Sequence, residues 1–212
     1  MPKQFCLFMY FLLWSLSMMA QPNGFRNLND EAFFRKKFSE TAAKLSTIQS
    51  DFVQVKNLNV LEEKITSKGK FWFKKPNMVK MEYQSPYKYL MIINHDKMTI
   101  RDETKTTTLS SRSNKMLEYV NQIIIDCVQG TAIDSKEFHV KVFENDKQYL
   151  LAMSPVKKEM KDFFSNIHLY IDKADYSVSR MEMIEPNNDN TVFTFLNKKF
   201  NESIADTFFT IQ

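Results

Sequence analysis

Alternation with a period of two governs most of this chain. Ile65, Ser67, Gly69, Phe71 and Phe73 alternate with Thr66, Lys68, Lys70, Trp72 and Lys74. After a turn at Lys75-Pro76-Asn77, Val79, Met81 and Tyr83 alternate with Lys80 and Glu82. Successive residues of a strand point to opposite faces, so this spacing predicts strands with one apolar side. Residues 89–93 are apolar throughout, which predicts a strand covered on both sides. Asn94-His95-Asp96-Lys97 then predicts a turn into a return strand at 98–101. Further strands are expected at 138–144, 148–154, 167–172, 177–185, 191–199 and 207–211, while 104–114 is polar and strand-like at best.

Two stretches break the alternation. Asn29 stands where it can cap a helix whose first turn carries Asp30 and Glu31, acids at the positive end of the dipole. Phe34, Phe38, Ala42, Leu45, Ile48 and Phe52 recur at steps of three or four, predicting one apolar stripe over about five turns. A second helix is expected over 115–128, with Met116, Val120, Ile123 and Cys127 on one stripe and Leu117, Ile124 and Val128 beside it. Gly130 ends it as a C-cap. This helix is apolar over more than half its circumference. It is therefore expected either to be deeply buried or to face a cavity on one side and the sheet on the other. Residues 155–165 form a basic connection with one or two helical turns. The resulting design is α+β: one curved antiparallel sheet of ten or eleven strands with two helical elements.

The chain start carries one early cation, Lys3, then no charge from Phe5 to Ala20. That run is short for a membrane span and ends on a small residue, which predicts a removable export signal at 1–20, although Met18 is unusual there. A flexible lead at 21–28 and a single domain at 29–212 follow. No cysteine follows the apolar run, so a lipid-modified terminus is not expected. Without Lys3, 28 of the 29 Lys+Arg face 25 Asp+Glu, too weak and dispersed a charge for nucleic acid.

The chemistry-bearing residues are sparse. Without Cys6, Cys127 stands alone, so no internal disulfide is possible, and its apolar neighbours predict a buried small hydrophobe. His95, His139 and His168 lie far apart without metal-ligand spacing, and no cofactor is expected. Three glycines leave no phosphate loop, and there is no G-x-S-x-G elbow. The carboxylate pairs Glu62-Glu63 and Glu182 with Glu185 sit among lysines. An enzyme is not expected.

What remains is an excess of large, soft side chains: nine of the 13 methionines and sixteen of the 19 phenylalanines lie beyond residue 20. Methionine adapts to variable apolar shapes. Phe71, Phe73, Val79, Met81, Tyr83, Leu90, Ile92, Met98 and Ile100, with Phe52, exceed what one sheet closed by one helix needs. Strands that curl into a partial barrel can enclose a greasy cavity with an apolar helix as its plug.

Specific motifs add a resemblance. Ile48-Gln49-Ser50-Asp51-Phe52-Val53-Gln54 follows the first helix, and Gly69-Lys70-Phe71-Trp72-Phe73-Lys74-Lys75-Pro76-Asn77 forms a hairpin sequence. Met81-Glu82-Tyr83, Pro86, Asp96-Lys97, Tyr149-Leu150-Leu151 with Pro155, and Asn201 with Phe208 fall in the same order. In these motifs the chain resembles the periplasmic outer-membrane lipoprotein carriers, the LolA family. The resemblance implies an incomplete β-barrel with a helical lid over a hydrophobic cavity. It also implies lipoprotein acyl chains as cargo, an inner-membrane ABC release complex as donor, an outer-membrane acceptor, and a monomeric carrier. The expected acyl-chain wall is the ten-residue set above, continuous and without a deep polar anchor. Met116, Leu117, Val120, Ile123 and Ile124 are the expected lid.

Two residues depart from the family pattern. Lys75 stands where relatives carry an arginine that ties the lid, and a lysine lacks the planar fork. It is the candidate latch. His95 replaces a common glycine beside the Asp-Lys turn, so another turn type is expected there. The alternative reading keeps the fold but carries another lipid-like molecule or senses lipoproteins.

Overall fold

The computed structural model describes residues 22, 24–95, 97–110 and 115–211. The expected signal at 1–20, Asp96 and the side chain of Leu117 lie outside these residues. In chain order the elements are β1 (Arg26–Asn27), α1 (Glu31–Lys44), β2 (Thr47–Leu58), β3 (Glu63–Lys74), β4 (Met78–Ser85) and β5 (Tyr89–Asn94). Then come β6 (Lys97–Arg101), β7 (Thr106–Ser110), α2 (Lys115–Gln129), β8 (Phe138–Glu144) and β9 (Gln148–Pro155). The chain finishes with α3 (Lys158–Lys161), β10 (Asn166–Asp172), β11 (Val178–Ile184) and β12 (Asn190–Phe200).

Among the described residues twelve strands form one sheet in the order β1-β8-β9-β10-β11-β12-β2-β3-β4-β5-β6-β7, and every pairing is antiparallel. The ends, β1 and β7, do not pair, so the sheet is not closed into a barrel. β1 lies within the expected flexible lead, yet Arg26 stands opposite Glu144 in the ladder and its guanidinium reaches that carboxylate at 3.3 Å.

The first helix is shorter than its stripe suggests. Asp30, not Asn29, is the cap: its Oδ1 accepts the Phe33 N–H at 2.8 Å. The helix ends at Lys44, where Leu45 turns extended (ψ 131°), and Ile48 and Phe52 belong to β2. A spacing of four puts two residues on one face of a helix and equally on one face of a strand. The β-branched and aromatic run from Thr47 decides for the strand.

One face of the sheet packs on α1 and α2 and carries the main core, including Phe34, Phe38, Phe52, Phe73, Val79 and Ile123. Strand alternation sends Trp72, Met78, Leu90 and Ile92 to the other face, where Phe208, Phe209, Ile204 and Ile211 cover them. The chain end that does so is not the expected strand at 207–211. It is a single 3-10 turn, Asp206–Phe209. Side chains of β3–β5 donate to carbonyls of this turn and of the residues before it: Lys74 to Ile204 at 2.5 Å, Lys80 to Phe208 at 3.3 Å and Asn94 to Phe209 at 3.3 Å. The Lys80 ammonium also lies 3.7 Å from the Phe208 ring centroid.

The β5–β6 turn also departs from expectation. His95 adopts the left-handed conformation (φ 57°). Asn77 supports it, accepting the His95 N–H at 3.0 Å and donating its side-chain amide to the His95 carbonyl at 3.1 Å.

Candidate functional site

Between the helices and the sheet lies a cavity of about 310 Å³. α1 supplies Phe38 and Ala42 to its roof, with Leu45 just beyond, and α2 supplies Met116, Val120, Ile123 and Ile124. The floor comes from β3–β6 through Phe71, Met81, Tyr83, Met91, Ile93 and Met98. The remaining wall comes from β10–β12 through Leu169, Met181, Met183, Phe193 and Phe195. Six lining side chains are methionines, which suits a wall that must follow a flexible occupant.

Of the residues singled out from sequence, Phe71, Met81, Tyr83, Met98, Met116, Val120, Ile123 and Ile124 line this space. Phe52, Phe73 and Val79 are fully buried in the packed core rather than in the lining, and Ile100 packs against that core. Leu90 and Ile92 face the opposite side of the sheet, beneath the C-terminal turn. Their chain neighbours Tyr89, Met91 and Ile93 take the lining positions. With both faces of β5 covered, the apolar run could not show its register. Met81 pairs with Met91 and Tyr83 with Tyr89, and these pairings assign the faces.

A glycine shapes the floor. Phe52, Gly69 and Tyr83 stand in one cross-strand row, and a Cβ on Gly69 would lie 2.8 Å from the Phe52 ring and 2.1 Å from the Glu82 carbonyl oxygen. Across the bare glycine the Phe52 and Tyr83 rings meet edge to face at 4.9 Å. Tyr83 stacks on Tyr89 with centroids 4.0 Å apart and donates to Gln54 at 2.7 Å. Burial, then the neighbouring Tyr89, pushes its phenol far above the ordinary range. The ring cluster is neutral at any physiological pH.

α2 is held by packing. Tyr119 meets Phe163 at 6.3 Å, and Gly130 (φ 74°) brings the helix end so close to α1 that a Cβ would lie 2.8 Å from the Ala42 Cβ. Among the described residues no side-chain hydrogen bond or ion pair joins α2 to the sheet. Cys127 borders the cavity, and burial, reinforced by Asp126, pushes its thiol well up, so it is not a ready nucleophile. Among the described residues no hydrogen bond or ion pair joins Lys75 to α2. Its ammonium donates to the Ala42 carbonyl at 2.7 Å, at the end of α1.

The expected continuous apolar lining is interrupted at Ser50, Ser177 and Lys198. Among the described residues no group of three His, Cys, Asp or Glu is placed to hold a metal ion. No described helix is long and apolar enough to cross a membrane.

Comparison with known proteins agrees with this architecture. The sequence matches the family described as outer membrane lipoprotein carrier protein LolA over residues 43–212. No curated protein matches significantly. Among solved structures, an uncharacterized conserved protein from Thermus thermophilus is similar in fold, with a TM-score of 0.50 at 7% identity over 84% of this chain and 91% of that one. A LolA superfamily protein from Nitrosomonas europaea gives 0.46 at 8% identity over 85% and 97%. The Mycobacterium tuberculosis lipoprotein LppX gives 0.45 at 7% identity over 82% and 98%. With the family match covering most of its length, the chain belongs to the LolA family of outer membrane lipoprotein carrier proteins.

Proposed function

We propose that this protein is a periplasmic carrier that takes up the acyl chains of lipoproteins and shields them from water. It receives them from an inner-membrane ABC release complex and passes them to an outer-membrane acceptor, acting as a monomer and without a cofactor. The observation that carries this reading is the cavity, apolar on nearly every side and roofed by a helix for which no side-chain hydrogen bond or ion pair to the sheet is found among the described residues.

The energetics suit a carrier. Each methylene moved from water into such a wall gains about 0.8 kcal/mol, so a fully sealed chain would leave too slowly to be delivered. The apolar face of α2 fills part of the same space that a cargo chain would occupy. Cargo entry displaces helix contacts and replaces them with its own, which keeps the net gain small in both directions.

Mass spectrometry of the protein purified from its own cell envelope, with ligands retained, tests the reading. A co-purifying triacylated lipoprotein is the expected result. A different amphiphile would assign the cavity to another lipid-like cargo, and an empty protein without affinity for lipoproteins would end the carrier reading.

A further inference from the structure

A β-bulge shapes a polar place in the described cavity wall. β12 and β2 pair in step as far as Leu196 opposite Asp51, and pairing resumes with Lys199 opposite Gln49. Two residues, Asn197 and Lys198, therefore face the single residue Ser50. Asn197 absorbs the extra length in the left-handed conformation (φ 53°) and donates its amide to Asp51 at 2.8 Å.

The bulge re-aims everything beyond it. Before it, Phe193 and Phe195 line the cavity, and strict alternation would continue with 197 and 199. After it, Lys198 and Phe200 line the cavity instead. Lys198 Nζ reaches Asp172 Oδ2 at 2.8 Å and Ser177 Oγ at 2.5 Å, with Asp175 at 3.6 Å. Burial pushes the Asp172 carboxyl up, but hydrogen bonds from Lys198 and Gln148 outweigh it and hold the pKa below its ordinary value. The lysine charge is therefore matched, and an anion gains nothing special here.

Ser50 differs from these neighbours. It is 7% exposed, it lines the cavity, and its hydroxyl has no hydrogen-bond partner among the described residues. Leaving a buried hydroxyl unpaired is costly, and a purely alkyl occupant would leave it so. A neutral hydrogen-bond acceptor would not.

We propose that Ser50, opposite the bulge that carries Lys198, binds the carbonyl of an acyl ester or amide, so that the site selects an acylated molecule by its linkage as well as by its chains. This inference rests on the acyl-carrier reading and names the group that reading leaves open. The carbonyl sets how deep the chains sit, because it must stop at the bulge.

The test displaces a bound hydrophobic fluorophore from the wild type and from Ser50→Ala. Three competitors are used: dipalmitoylglycerol, its ether counterpart dihexadecylglycerol, and a tripalmitoylated cysteinyl peptide. The wild type is expected to bind the ester about fivefold more tightly than the ether, and Ser50→Ala to bring the two within about twofold. The ether serves as the folding control, since it needs only the cavity. A variant that keeps the ester preference overturns the anchor, as does a wild type that binds both glycerides equally. In those cases the carrier reading stands. Tighter binding of the peptide than of either glyceride supports lipoprotein as the source of the linkage, whereas binding of glycerides alone overturns that source. A wild type that binds none of the three overturns both proposals.

Discussion

The Lys75 ammonium donates a hydrogen bond to the Ala42 carbonyl at 2.7 Å, tying the β3–β4 turn to the last turn of α1. A cation at this end of a helix also meets the negative end of its dipole. Ala42 in turn lies under Gly130 at the end of α2, so the chain of contacts from hairpin to roof runs through α1.

Lys75→Met is expected to lower stability by about 1–2 kcal/mol and to speed entry of a hydrophobic fluorophore into the empty cavity. Lys75→Arg should retain the bond and leave entry at the wild-type rate or slower. Stopped-flow fluorescence measures both, and unchanged entry in the methionine variant would show that α1 needs no tie at this point.

Gly130→Ala tests the contact between the helices. The new methyl would meet Ala42 Cβ at 2.8 Å and Ser39 Cα at 2.9 Å, from a backbone with φ 74°. Left-handed strain alone costs about 1–2 kcal/mol. The variant should melt earlier and admit the fluorophore faster, because α2 must lift from α1 to make room. A melting temperature equal to wild type would show that the helix end has slack.

Gly69→Ala should damage the floor more severely. Its Cβ would lie 2.1 Å from a backbone oxygen and 2.8 Å from the Phe52 ring, and neither can retreat without moving a central strand. A loss of about 3 kcal/mol or more is expected, read from urea unfolding.

Met81→Gln and Leu90→Gln place the same polar group on opposite faces of the sheet. Met81 lines the cavity, and Leu90 packs under the C-terminal turn. Cargo affinity should fall about tenfold in the first variant and remain within about twofold of wild type in the second. Equal losses in two folded variants would mean that cargo does not touch the floor.

One source of acid sensitivity lies where β1 meets the sheet. Hydrogen bonding from Lys173 at 2.6 Å, aided by Arg26, holds the Glu144 carboxyl below its ordinary value of 4.5. A depressed carboxylate contributes its stability above the ordinary value and loses it as pH falls through the folded value. Glu144→Gln should therefore be less stable than wild type at neutral pH, and the two should converge below the depressed value. A constant difference across a pH series of melting curves would assign the effect to packing.

The sequence showed more of the strands than of their faces. Alternation from Ile65 to Tyr83 marked β3 and β4 because each has one apolar side and one bearing lysines. Residues 89–93 read as a strand, yet Leu90 and Ile92 fell on the outer face, since a run apolar at every position carries no register. The Ile48–Phe52 spacing fits either period, and Ser50, the polar residue between them, faces inward only because β2 is a strand. Nothing local announced the 3-10 turn at the chain end. Its carbonyls at Phe208 and Phe209 are met by Lys80 and Asn94, which are remote in sequence.

By itself the sequence determined an antiparallel sheet with two helical elements, a store of soft apolar side chains and a set of motifs that resemble one family. Periodicity and motif order are local properties, written in consecutive residues. Which apolar residues became cavity wall, what Lys75 holds, and how a bulge turns Lys198 toward Ser50 were decided only by the tertiary structure. Each depends on strand register and on surfaces distant in sequence, brought together by closure of the core.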